Sequence, residues 1–442
     1  MANFLPNALI DRMKRLAAEE MATYVSMDSV PLVRQAVLLN ADKPQDLSLP
    51  LGAKVPWWPK AYYLKNLDYE FDKDPNYHRG SYSRQDAADL FVAYALNQLG
   101  LGQLPLRGLE LGGINARSSI LMSSLLAPNS LWLVNASDEA HYSNVRKCIA
   151  QWGLNNTWVM QQATASFKYI PHSFDLIYYH ALVHLSSLHL KASIGPDKWT
   201  EDYARLQDNK LQEGLESALI TLKADGYLFY VGKSIFDKQQ SDFIDKQIMD
   251  GGLKTVRLPF DASWEVQEYK SAFSGCYSYL LPKDSANQPC LWLTIFHKEE
   301  DRNSENTDYT VNDDVEVNEG QNIFKSWVHE PNEFIFREVQ SQLYMFPRYL
   351  LAEYRKLNDI FDVHKLGICI ANWNGNDWVP TQELAWNSCL AKKIPYIALS
   401  YDQALSYLKG ETIDSSLFDV SEGWYVLRYK ELNLGWIAIE GE

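Results

Sequence analysis

Apolar residues recur along this chain in distinct rhythms. Over 6–25, Leu9, Met13, Leu16 and Met21 return near helical spacing, which predicts an amphipathic helix. A strand, VRQAVLLN (33–40), and an aromatic stretch, VPWWPKAYYLK (55–65), follow. From Leu104 to about Lys298, short apolar runs alternate with helical stretches. The runs are LRGLELGG (106–113), SLWLVNAS (130–137), NTWVMQQ (156–162), FDLIYYH (174–180), GYLFYVG (226–232), CYSYLLP (276–282) and CLWLTIFH (290–297). Helices are expected between them, at 115–126, 138–152 and 203–223. Such alternation predicts an α/β domain, a mostly parallel sheet with helices on both faces. Sheets of this kind bind ligands beyond the carboxyl ends of their strands. The residues just after each strand are therefore where chemistry is sought.

Residues 298–320, KEEDRNSENTDYTVNDDVEVNEG, are polar, lack any period and read as a linker. Apolar residues return in FIFREVQSQLYMFPRYLL, and a helical stretch is expected near 346–357. Strands follow at 365–372, 395–400, 424–430 and 434–440, with a helix at 401–409, as in a small mixed or barrel-like domain. The expected organisation is 1–103, an N-terminal domain with a connecting helix; 104–297, the α/β domain; 298–320, the linker; and 321–442, the C-terminal domain.

Charge adds a constraint. The 442 residues hold 41 Lys+Arg against 56 Asp+Glu, a net charge of −15. The linker accounts for −7 and the C-terminal segment for −5, which leaves −3 on residues 1–297. That balance excludes a protein that coats nucleic acid by charge alone, yet permits a local basic groove. Lys54, Lys60 and Lys65 interleave with the aromatics of 55–65, and Arg34 lies upstream. Interleaving of this kind suits single-stranded nucleic acid, and equally suits a small domain packing its aromatic rings. The five cysteines, Cys148, Cys276, Cys290, Cys369 and Cys389, include no CxxC pair and read as reduced thiols. No apolar run approaches ~20 residues, and the N-terminus lacks the order of a signal peptide, so a soluble cytoplasmic monomer without membrane contact is expected. His180 and His184 are four apart without a third ligand, so no metal is expected.

The order of segments resembles the bacterial ribosomal-RNA cytosine-C5 methyltransferases of the NOL1/NOP2/Sun family that carry a C-terminal PUA-like domain. LPNALIDRMKRLAAEE is similar to the family's opening helix, NADK (40–43) to its N-P-x-K, and VPWWPKAYYL to its VPW…GYYL. DPNYHRGSYSRQDAADL (74–90) resembles its H-x-G-x-Y-x-x-Q-E-A helix, keeping His78, Gly80, Tyr82, Gln85 and Ala87. YDQALSYLKGETI (401–413) and GWYVLRYKELNLGW (423–436) resemble segments of its last domain. The resemblance implies a small N-terminal α/β domain of RNA-recognition type, a Rossmann-like class I methyltransferase domain and a PUA-like domain. It also implies S-adenosylmethionine as cofactor and ribosomal RNA, or a ribosome assembly intermediate, as partner.

The family's site residues are then compared position by position. Its D-x-C-A-A-P-G-G-K loop reads Glu110-Leu-Gly-Gly-Ile-Asn-Ala-Arg-Ser118, so Glu110, Gly112 and Gly113 are the vestigial cofactor positions. Ile114 and Arg117 are expected to crowd the space. The next strand ends Asn135-Ala136-Ser137, with the ribose-binding acid displaced to Asp138. The family's two catalytic cysteines correspond to Val183 and Ser234, and its D-A-P-C aspartate to His180. A thiolate that attacks cytosine C6 has no substitute among these side chains. Lysine and arginine of the family's RNA contacts correspond to Ala438 and Leu38. The expectation is a degenerate homologue that binds RNA, the ribosome or a protein, without methyl transfer and without a bound cofactor. Two alternatives are an active methyltransferase whose histidine or carboxylate serves as base, and a protein scaffold that has left RNA.

Overall fold

The computed structural model describes residues 35–43, 49–66, 68–113, 116–180, 212–231, 252–264, 266–270, 277–281, 291–299, 324–411, 413–414 and 417–440. The expected helix at 6–25 and the expected linker, apart from its first two residues, lie outside them.

The N-terminal domain is a four-stranded antiparallel sheet. Its strands are β1 (Gln35–Leu39), β2 (Leu51–Val55), β3 (Trp58–Leu64) and β4 (Tyr82–Asp86), in the order β2-β3-β1-β4. The segment expected as one helix over 74–90 breaks into α1 (Pro75–His78), β4 and the start of α2 (Leu90–Gln98). Gly80 causes the break. Its φ is 66°, and a Cβ there would collide with the Gln151 carbonyl. Asn40 fixes the same turn by donating to the carbonyls of Gly80 (2.9 Å) and Trp152 (2.8 Å).

The central sheet has nine strands. In chain order they are β5 (Arg107–Gly113), β6 (Leu131–Ala136), β7 (Thr157–Met160), β8 (Phe174–His180), β9 (Leu222–Val231), β10 (Leu253–Thr255), β11 (Gln267–Lys270), β12 (Tyr277–Leu281) and β13 (Leu291–Lys298). The spatial order is β11-β12-β13-β9-β8-β5-β6-β7, with β10 on β13. β7, β6, β5, β8 and β9 run parallel, and β13, β12 and β11 continue antiparallel. Crossovers α3 (Ala116–Leu125) and α4 (Glu139–Trp152) link the first three strands. β9 starts four residues before the expected apolar run, because pairing with β8 extends back to Leu222. Chain order reverses between β5 and β8, the position at which such sheets form a crevice.

A parallel sheet must be covered on both faces. On one face Trp132, Val134, Leu176 and Phe229 pack with Phe91 of α2, Ile120 of α3 and Val145 of α4. On the other, Leu133, Ile177 and Leu228 pack with Leu219 and with residues of the C-terminal domain. That domain comprises β14 (Phe334–Val339), β15 (Gln342–Pro347), α5 (Leu351–Phe361), β16 (Ile368–Trp373), β17 (Trp378–Pro380), α6 (Gln382–Trp386), β18 (Tyr396–Ala398), α7 (Tyr401–Leu408), β19 (Gly423–Tyr429) and β20 (Leu432–Ile439). FIFREVQSQLYMFP forms the β14–β15 hairpin, so the helix expected from 346 starts only at Leu351. Leu351, Tyr354 and Leu357 of α5 lie on the sheet. The C-terminal domain therefore completes the methyltransferase-like core.

Polar ties lock the three domains. Arg107 pairs with Glu353, Arg146 holds Glu383 with two bonds of 3.0 and 3.1 Å, and the Tyr401 hydroxyl donates to the Lys73 carbonyl at 2.9 Å. Lys43 donates to the Trp386 carbonyl at 3.2 Å. Burial beside the Arg79 guanidinium lowers the Lys43 pKa to about 7. A lysine with a depressed folded pKa costs stability fully below that value, and the cost fades as pH rises toward its unfolded pKa. In phosphate-free buffer, Lys43→Met is therefore expected to gain on the parent chain as pH falls from 10 to 6. The gain is on the order of 2 kcal/mol after allowance for partial exposure. Denaturant melts at the two pH values measure it, and a pH-independent difference would refute it.

Candidate functional site

The crevice at β5 and β8 is built around one buried carboxylate. Glu110 on β5 is 0 % exposed. Its oxygens accept from Ser118 Oγ (2.6 Å), Ser119 Oγ (2.8 Å) and Trp132 Nε1 (3.1 Å). The serines come from the first turn of α3, and the indole comes from β6. His180 Nε2, at the end of β8, stands 3.3 Å from Glu110 Oε1. Burial pushes the Glu110 carboxyl up, but the imidazole and both serine hydroxyls outweigh it and hold the pKa below its ordinary value. His180 is itself buried and packs edge-on against Tyr178 at 4.3 Å. Neither of its ring nitrogens makes a directed hydrogen bond.

Gly112 has φ 69°, and a Cβ there would lie 2.6 Å from the His180 carbonyl oxygen. The close approach of β5 to β8 requires this glycine. Gly113 ends β5 opposite Ala136. At the end of β6, the Asn135 side-chain amide holds the Gln162 backbone, donating from Nδ2 to Gln162 O at 2.9 Å and accepting at Oδ1 from Gln162 N at 2.8 Å. Asp138 caps α4 by accepting from the His141 N–H at 2.8 Å. That bond draws its pKa down.

Arg117 departs from expectation. It is exposed, and its carbonyl accepts from Gln85 Nε2 of β4 at 3.2 Å. What fills the space beside Glu110 is the pair of serines and the β8 backbone. Ile114, Val183 and Ser234 lie outside the described residues, as do Arg34, Cys276 and Cys290. Cys148 is half-buried in α4, while Cys369 and Cys389 are buried.

The aromatic–basic stretch mostly packs. Trp57 and Trp58 are buried, whereas Lys54, Lys60 and Lys65 are exposed. Lys54 stands over the Tyr62 ring at 5.9 Å and Lys60 over Trp58 at 5.8 Å. Strand register places Lys54, Tyr62, Val37 and Arg84 in one row across the four strands. Arg84 lies over Phe71 at 4.5 Å, and burial together with Arg117 lowers its pKa. Arg84, and its pairing with Arg117, escaped the sequence reading because the two are distant in sequence and meet only when β4 packs beside α3. Among the described residues no group of three or more His, Cys, Asp or Glu could hold a metal.

A buried acceptor with four polar neighbours is costly to remove. Glu110→Ala should lower stability by about 3 kcal/mol at neutral pH. The loss should shrink as pH falls through the depressed pKa, where the carboxylate protonates in the parent chain too. Urea titrations at pH 7 and pH 3.5 test both parts.

Comparison with known proteins agrees with this architecture. Residues 395–442 match the family described as the Methyltransferase RsmF PUA domain. Among solved structures, a methyltransferase homologue from Pyrococcus horikoshii is 16 % identical with a TM-score of 0.50 over 66 % of this chain and 94 % of its own. The NSun6 protein of Pyrococcus horikoshii is 10 % identical with a TM-score of 0.45 over 66 % of this chain and 97 % of its own. No match was found among curated protein sequences. The chain thus joins a Rossmann-like methyltransferase fold to a C-terminal PUA domain of the RsmF type, as the resemblance to NOL1/NOP2/Sun RNA methyltransferases implies.

Proposed function

We propose that this protein is a non-catalytic homologue of a ribosomal-RNA cytosine-C5 methyltransferase that acts by binding RNA. The observation that carries this reading is the state of the vestigial cofactor positions. Glu110 is engaged by Ser118, Ser119, Trp132 and His180; the space above Gly112 holds the β8 backbone; and Asp138 is a helix cap. These residues do not fit S-adenosylmethionine, which needs an open glycine turn and a carboxylate free to receive ribose hydroxyls. The cysteine positions hold Val183 and Ser234, and a hydroxyl at ordinary pKa does not replace a thiolate.

RNA binding draws support from the PUA match and from the row that ends in Lys54 and Arg84, beside Arg117. Basic groups spread over a sheet with interleaved aromatic rings suit phosphate and base contacts. The natural partner class is ribosomal RNA, free or in an assembly intermediate. One observation favours a second reading, an active methyltransferase of altered chemistry. His180 is buried at the strand end with Nε2 3.3 Å from the Glu110 carboxylate and no partner on Nδ1, the pairing of an imidazole base with a carboxylate.

Calorimetry separates the two. The first reading expects no heat of S-adenosylmethionine binding, and micromolar affinity would overturn it. For RNA, the combined substitutions Lys54→Glu, Lys60→Glu and Arg117→Glu should weaken binding of ribosomal-RNA fragments about tenfold or more and flatten the salt slope. Unchanged affinity in filter-binding assays would favour a scaffold that works through proteins.

A further inference from the structure

We propose that the seam between the N-terminal sheet and the α6 turn is a binding site for an oxyanion of the phosphate class. The Arg79 guanidinium is 1 % exposed and lies over the Trp386 ring at 5.2 Å. Its Nε and Nη1 donors are buried without an acceptor. Two chain neighbours of this stack repeat the pattern: Ser81 Oγ and Asn387 Nδ2 are buried and unbonded. Lys43 brings a second cation close enough to interact with Arg79. Among the described residues no carboxylate pairs with Arg79; Tyr407 is the one group that favours its charge.

Buried charge without a counter-charge is expensive, and buried donors without acceptors add to the cost. The carbonyl end of α4 offsets part of the charge. Its carbonyls make no hydrogen bond to Arg79 Nε or Nη1. An anion answers both deficits at once. Beside Gly153 a built Cβ would stand in ordinary van der Waals contact, at 3.8 Å, with Lys43 Cε, Lys43 Nζ and Ser388 N, so an ammonium and a backbone nitrogen approach the same point. An arginine fork, an ammonium and nearby N–H groups match a tetrahedral oxyanion. Phosphate, free or within an RNA backbone, has this chemistry.

The test uses the full chain dialysed free of phosphate. Calorimetry and ³¹P line broadening with inorganic phosphate should show saturable binding to one site. Lys43→Met and Arg79→Met should each weaken it about tenfold or more, the loss of one charge-assisted hydrogen bond. Where Arg79→Met fails to fold, by circular dichroism, the half-exposed Lys43 decides alone. Absence of saturable binding, or binding unchanged in the folded variants, overturns the proposal. Adding ribosomal-RNA fragments to the parent chain distinguishes the sources. Displacement of inorganic phosphate identifies a backbone phosphate, and simultaneous binding identifies the free ion. The triple glutamate variant, which lacks the RNA face, should still bind phosphate, so failure of the RNA reading leaves this one testable by itself.

Discussion

Enclosing the Glu110 carboxylate fixes much of what surrounds it. A carboxylate with no solvent contact must be matched by donors, or it protonates and loses its purpose. Here the donors come from two elements, the serines of α3 and the indole of β6, and the imidazole of β8 stands beside them at 3.3 Å. Each donor constrains the backbone that carries it. The first turn of α3 is drawn over the end of β5, and β8 is drawn close enough that only glycine fits at 112. In the non-catalytic reading proposed above, loss of the cofactor and gain of this buried polar cluster are two descriptions of one rearrangement.

The same sheet depends on a distant part of the chain for its second face. Leu351, Tyr354 and Leu357 of α5 cover strands that would otherwise expose apolar area. Arg146 with Glu383 and Arg107 with Glu353 then set the orientation. The C-terminal domain is thus not a module that swings on a tether.

Sequence patterning revealed the α/β alternation because the parallel strands are apolar-rich and buried on both faces, as LWLVNA at β6 shows by burying all six positions. The helix expected over 74–90 came from the resemblance, and a positive-φ glycine and the contact with Gln151 break it. The helix expected near 346–357 starts only at Leu351, because the β14–β15 hairpin runs to Pro347. At the site, Glu110 and Gly112 were legible as positions, but their roles were not. Whether a glycine faces a cofactor or a neighbouring strand depends on β8, which is about 65 residues away. Arg117 was placed inside the crevice by alignment and lies exposed, because the serines beside it took the inward-facing positions of the turn.

The two buried charge clusters can be compared directly. Glu110 has its donors, all of them supplied by the protein, and the cluster is closed. Arg79 has none for Nε and Nη1, although it is equally buried and has a second cation beside it. The Glu110 cluster lies within the central domain, whereas Arg79 lies at the seam of the N-terminal sheet and the α6 turn and bears on how those parts hold together. A fold that saturates one buried charge so completely gives no reason, on packing grounds alone, to retain the other unsaturated. An isosteric apolar side chain would pack over Trp386 without the desolvation cost. Retention of the guanidinium in that position is most simply understood if its counter-charge arrives from outside the chain.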